Sequence, residues 1–190
     1  MQNIAEAVLR EIDALRQEKP RLLVAIDGRS AAGKTTLAAL LQKGCGCNVV
    51  HMDSFFLRPE QRTVQRLHEP GGNVDRERFL EEVLTPLTRG EPLSYRPYDC
   101  KKQVLAPPIQ AAPHPITVVE GAYSCHPLLR DSYDLTVFLS VGGAEQARRI
   151  AQRNGEAGAA IFAEKWIPLE ERYYAAYSVR ERCSLSFDTH

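Results

Sequence analysis

The eight residues Gly28-Arg29-Ser30-Ala31-Ala32-Gly33-Lys34-Thr35 fit the pattern GxxxxGK[ST], and they follow directly on the apolar run Leu22-Leu23-Val24-Ala25-Ile26. The pattern constrains the fold because its chemistry needs a strand before it and a helix after it. Two glycines let the backbone curl until its N–H groups face a phosphate chain, Lys34 adds a mobile positive charge, and Thr35 offers a hydroxyl to Mg²⁺. A helix opening at Lys34 adds the positive end of its dipole. Residues Gly28 to Thr36 therefore read as a nucleotide-phosphate site. The plainer alternative is a glycine turn that caps a helix.

A chain of 190 residues suits one domain spanning positions 1–190, large enough to bury a core without staples. Its 24 basic and 24 acidic side chains cancel, so no global field favours nucleic acid or an anionic membrane surface. No apolar stretch is long enough to span a bilayer, and the N-terminus lacks a signal-peptide pattern, so a cytoplasmic protein is expected. Self-association stays open. The five cysteines, Cys45, Cys47, Cys100, Cys125 and Cys183, make an odd, scattered set that suits reduced thiols. A zinc site using Cys45, Cys47 and His51 would lack a second ligand pair at the usual spacing.

Hydrophobic periodicity supplies the frame. Ile4, Val8, Ile12 and Leu15 recur at helical spacing, predicting a helix over 3–18. Residues 21–27 read as a strand, and Lys34 to Lys43 as a helix ended by Gly44 and Gly46. Asn48 to Met52, Ile116 to Val119 and Leu135 to Leu139 read as strands apolar on both faces, as in parallel sheets covered by helices. This alternation predicts a three-layer α/β fold with its strand C-termini gathered on one edge, where ligands collect. The connection over about 55–115 is too long for an ordinary crossover and is expected to carry function. Within it, Asp75 can cap a helix reaching about Thr88, and Leu93 to Tyr98 can pair with Gln103 to Ala106 as a hairpin. Gly143 to Asn154 reads as a helix, Glu156 to Ala163 as a mobile cover, and Pro168 as the start of a last helix reaching about Arg182. Residues 143–165 thus form a short lid, and Ser184 to Phe187 can add an edge strand.

Asp53 and Glu120 each follow an apolar run directly, so both emerge at the edge that carries the phosphate loop. No asparagine begins an NKxD guanine reader, and no LSGGQ segment is present. Phosphoryl transfer to a small acceptor fits better, and it is mostly positioning and charge stabilisation. Asp53 can take the acceptor's proton or hold Mg²⁺ through water. Thr35 and Glu120 can serve the metal, and Arg149 and Arg153 can close over phosphates. Plainer roles are a capping carboxylate for Asp53, a turn residue for Glu120 and a solvated helix face for the arginines.

The segments Ile26-Asp27-Gly28 through Thr36, Asp53-Ser54-Phe55-Phe56, Asn73-Val74-Asp75, Tyr98-Asp99, Val119-Glu120-Gly121 and Asp134 to Arg153 occur in an order that resembles uridine kinase and its phosphoribulokinase-like relatives. The resemblance spans most of residues 21–187. It implies a P-loop nucleoside triphosphate hydrolase fold with a five-stranded parallel sheet, an ATP and Mg²⁺ dependent kinase, and a small-molecule acceptor such as a nucleoside. It also implies that Asp53 accepts the proton of a ribose hydroxyl, that Asp75 binds the sugar, and that Tyr98 stacks on the base. As plainer roles, Asp75 is a good N-cap and Tyr98 can pack the hairpin. The chain departs from the pattern where Cys100 follows Asp99 and where Gln152 stands three residues after Arg149. These departures suggest that phosphate transfer is kept while acceptor recognition differs, with a sugar phosphate, glycerate or pantothenate as alternative acceptors. A regulatory ATP-binding protein without an acceptor is the reading from another class.

Overall fold

A computed structural model describes residues 1–190 and turns the apolar runs into five parallel strands. In chain order they are β1 (Leu22–Gly28), β2 (Asn48–His51), β3 (Ile116–Glu120), β4 (Leu135–Val141) and β5 (Leu185–Thr189). Their spatial order is β2-β3-β1-β4-β5, and each neighbouring pair runs parallel. Every residue of β1, β3 and β4 is buried, which explains why these strands carry no polar alternation. The register sets Glu120 beside both Ile26 and His51, so β2 and β3 end at one level and β1 runs two residues further, to Gly28.

Helices cover both faces. Helix α1 (Gln2–Arg16) buries Ala5, Val8 and Ile12, and α2 (Lys34–Cys45) buries Leu37, Ala38 and Leu41; they pack on one face of the sheet with Val24, Ile26, Val118 and Val137. On the other face Leu23, Ala25, Val119 and Phe138 meet Phe55 and Phe79 of the insertion, and Tyr173 and Tyr174 of a C-terminal helix. The helix capped by Asp75 runs through a π-type turn at Leu80–Leu84 and ends at Gly90, which takes φ 72°.

Several local expectations shift. Gly44 stays inside α2, which Gly46 ends at φ 72°. A Cβ at Gly44 would meet Leu9 Cδ1 at 2.7 Å, so this glycine lets α1 lie close against α2. Strand β2 stops at His51, and Met52–Phe55 form a 3₁₀ turn that carries Asp53. The hairpin is longer than expected: Leu93–Tyr95 pairs with Ile109–Ala111, and Tyr98–Asp99 with Val104–Leu105. Between the two ladders lie Pro97, Pro107 and Pro108, which have no N–H to donate, and Arg96 bonds the Leu105 and Ala106 carbonyls instead.

The lid is helical. Helix α3 (Gly143–Ile161) is kinked at Gly155, with φ 71° and ψ 173°, and passes through a π-type turn at Phe162–Trp166 into α4 (Ile167–Tyr177). The small residues of 156–163 had pointed to a loose cover, but alanine is also the best helix former. Ser178 at φ 49° then ends α4 earlier than Arg182, and Val179–Arg182 form a separate turn.

Two glycines contrast close backbone packing at the ligand edge with an open turn at the far end of α2. A Cβ on Gly28 would sit 2.0 Å from the Leu139 carbonyl oxygen at φ +133°, whereas Gly46, at φ +72°, has open space. Gly28→Ala should therefore lose about 3 kcal/mol or more in urea unfolding, and Gly46→Ala only about 1 kcal/mol. Equal losses would mean that backbone conformation, and not the contact with β4, sets the cost at Gly28.

Candidate active site

The phosphate loop rests on a buried carboxylate. Asp27, at the end of β1, accepts from Gly28 N (2.6 Å) and Tyr123 N (3.1 Å) through Oδ1. Its Oδ2 accepts from Cys125 N (2.8 Å) and Tyr173 Oη (2.9 Å). Burial raises the carboxyl, and the backbone donors, Lys34 and Tyr173 oppose that rise. Above it the loop curls through positive φ at Gly28, Ala31 and Gly33. The first rung of α2 runs from Leu37 N to Gly33 O at 2.9 Å, so the amides of Lys34, Thr35 and Thr36 precede it and remain available for an anion. Ser30 is taken already: its N and Oγ donate to Glu170 at 2.9 and 2.5 Å.

A cavity of about 1320 Å³ opens over this loop. Ser30, Ala31, Gly33, Lys34, Thr35 and Thr36 line it, together with Asp53, Glu120, Arg149 and Arg153. Lys34 Nζ donates to the carbonyls of Gly28 (2.6 Å) and Arg29 (2.9 Å), so its charge sits on the loop. Thr35 Oγ1 donates to Glu120 Oε1 at 3.2 Å, and the same oxygen lies 2.5 Å from His51 Nδ1. That contact raises the His51 pKa. Asp53 is open to the cavity but crowded on its other sides by protein, which raises its carboxyl against the pull of Lys34, His51 and Arg153. It accepts no hydrogen bond from the protein. Arg149 Nη1 reaches the Ala31 carbonyl (3.1 Å) and Thr189 Oγ1 (3.3 Å), while Nε pairs with Glu145 at 2.7 Å. Arg153, one turn on, lies 5.5 Å from the Phe162 ring centroid.

Of the other residues read from sequence, Gly28, Arg29 and Ala32 shape the loop without lining the cavity. Asp75 and Tyr98 are buried away from it. Asp75 caps its helix through Arg78 N (3.2 Å) and accepts from Gln61 Nε2 (2.7 Å). The Tyr98 hydroxyl is buried without a partner. The cavity's aromatic wall comes instead from Phe56, Tyr123, Phe162 and Trp166.

Asp27, His51 and Glu170 had been given no role at this site by the sequence reading, and Arg62 and Arg172, which line the cavity, had not been singled out. Asp27 had a signal, a charge closing an apolar strand just before the loop. His51 had a weaker one, two residues before Asp53 in an extended run. Glu170 had none, because its partner Ser30 is 140 residues away. No three His, Cys, Asp or Glu side chains converge as a metal cluster. Thr35, Glu120 and Asp53 offer oxygen donors only, which suits Mg²⁺ with phosphate and water oxygens completing its shell.

No family profile matches the chain. Solved structures share its architecture. A possible uridine kinase from Bacillus stearothermophilus superposes with a TM-score of 0.70 at 21% identity, covering 95% of this chain and 99% of that one. YFH7 from Saccharomyces cerevisiae, described as a candidate P-loop containing kinase with a circular permutation, superposes with a TM-score of 0.67 at 11% identity, covering 99% and 98%. At these identities the likeness is one of fold, and the fold of this chain is that of the P-loop kinases.

Proposed function

We propose that the protein transfers the γ-phosphoryl group of ATP to a hydroxyl of a small metabolite. A nucleoside is the acceptor that the sequence resemblance favours. The observation that carries the reading is Asp53: a carboxylate with no protein donor, open to the cavity that Lys34 and Thr35 also line. A kinase needs such a free base beside its phosphate cradle, whereas a protein that only senses the nucleotide does not.

In this reading the amides of Lys34 to Thr36 and the Lys34 ammonium hold the phosphates, with Lys34 leaving its two carbonyl partners to do so. Thr35 and Glu120 would hold Mg²⁺, and Asp53 would serve it through water. When bound, the metal neutralises charge on the phosphate oxygens. Arg149 and Arg153 present guanidinium groups from successive turns of α3 to the phosphoryl being transferred. Asp53 takes the proton of the acceptor hydroxyl, and its raised carboxyl pKa makes it a stronger base than an ordinary aspartate. Trp166 and Phe162 form the side of the cavity that would exclude water. ADP release from ATP, followed across a panel of nucleosides and hydroxyl metabolites, tests the reading. Release that depends on an acceptor supports it, and slow turnover indifferent to acceptor supports the regulatory alternative.

Lys34→Ala should lower turnover by about a hundredfold or more with unfolding unchanged, because the ammonium contacts loop carbonyls and supports no core. Wild-type turnover and nucleotide affinity in this variant would remove the loop from the chemistry. Arg149→Ala should cost more activity than Arg148→Ala, since Arg148 touches only Glu145 while Arg149 also touches the loop. Matching losses would place the wrong face of α3 over the phosphates.

The two carboxylates should separate under Mg²⁺ titration. Asp53→Asn keeps the shape but removes the base, so turnover should fall about a hundredfold or more at every metal concentration while ATP still binds. Glu120→Gln should recover in part as Mg²⁺ is raised. Full metal rescue of Asp53→Asn would make Asp53 a ligand and not a base.

A further inference from the structure

The arginines of the insertion fall into two groups. Arg66 pairs with Glu77 at 2.6 Å, Arg76 with Glu69 at 2.5 Å and Arg78 with Glu82 at 3.0 Å. Arg62 meets no carboxylate. Its Nε and Nη2 both donate to the Leu57 carbonyl, at 3.0 and 2.9 Å, which leaves Nη1 without a protein acceptor. Arg172 on α4 is held in a similar way, with Nη2 on the Leu67 carbonyl at 3.0 Å and no carboxylate partner. Both side chains line the cavity, as do Leu57 and Leu67 that anchor them. Asp53 lines the same cavity.

A guanidinium stays charged, so an unpaired one in a neutral chain is a local surplus of positive charge. Anchoring by a carbonyl fixes the planar fork without neutralising it, and a fixed fork with free N–H groups matches a carboxylate or a phosphate. In the kinase reading the phosphates of ATP engage Lys34, Arg149 and Arg153. A neutral acceptor would leave Arg62 and Arg172 unused.

We propose that Arg62 and Arg172 form a second anion subsite, and that the acceptor is a hydroxyl metabolite carrying its own phosphate or carboxylate. The acceptor's role rests on the kinase reading, whereas the subsite can be tested without turnover. The full-length protein is saturated with Mg²⁺ and the non-hydrolysable β,γ-imido analogue of ATP, so that the triphosphate positions are filled. Inorganic phosphate and, separately, glycerate are then titrated by calorimetry into wild type, Arg62→Ala, Arg172→Ala and Arg62→Lys.

At least one of the two anions should bind wild type, and each alanine variant should weaken it by about tenfold or more with affinity for the ATP analogue unchanged. Arg62→Lys keeps the charge but not the fork, so it should fall between, and it carries the test if Arg62→Ala melts early. Absence of binding to wild type, or equal affinities across the variants, would overturn the subsite. Which anion binds distinguishes a phosphate from a carboxylate. In turnover, ribose 5-phosphate against ribose and glycerate against glycerol should show the charged member preferred through KM, with the preference lost in Arg62→Ala. Equal use of the neutral members would overturn the acceptor class and leave the kinase reading standing. If no acceptor elicits ADP release from a protein that binds ATP, the kinase reading fails and the titration alone decides the subsite.

Discussion

A buried charge at the root of the phosphate loop organises this molecule. Removing a carboxylate from water is costly unless donors surround it, and Asp27 obtains four from residues that are adjacent, 96, 98 and 146 positions away. The turn after β3 supplies Tyr123 and Cys125 amides, and α4 supplies the Tyr173 hydroxyl. Satisfying one side chain thereby fixes the starting point of the loop, the exit of β3 that carries Glu120, and the helix that follows the lid. The left-handed conformation of Tyr123, at φ 74°, belongs to the same arrangement, because its amide is one of the four donors.

Helix α4 touches the loop and its root at three polar residues: Glu170 on Ser30, Glu171 on Arg29 at 2.9 Å and Tyr173 on Asp27. The loop is therefore braced from the C-terminal side as well as by β1 and α2. Movement of the lid relative to the loop has to be absorbed where the chain is least regular, at Gly155 and at the π-type turn over Phe162–Trp166. Both lie between Arg153 and Glu170, so the arginine and the brace stand on opposite sides of a natural bend.

Local signals carried much of this into the sequence. The five parallel strands, the loop between β1 and α2, and the edge that gathers Asp53 and Glu120 follow from apolar runs, glycines and strand ends, all of which act over a few residues. Long-range choices were hidden. The hairpin ran on past Ala106, with Leu93–Tyr95 reaching Ile109–Ala111 beyond prolines that donate no N–H. The lid became helical because alanine composition serves both a helix and a cover. Asp75 reads as a cap in sequence and is one here, but burial keeps it from the cavity. Glu170 was invisible, since nothing near it in the chain announces a partner 140 residues upstream.

The central claim is that a phosphoryl group leaves ATP for an acceptor hydroxyl at Asp53, and the fate of that group tests it most directly. Phosphorus NMR of the protein with ATP, Mg²⁺ and an extract of small metabolites should show a phosphate-ester resonance growing in step with ADP, absent when the extract is omitted. Inorganic phosphate growing in step with ADP, with or without the extract and with no new ester, would contradict it.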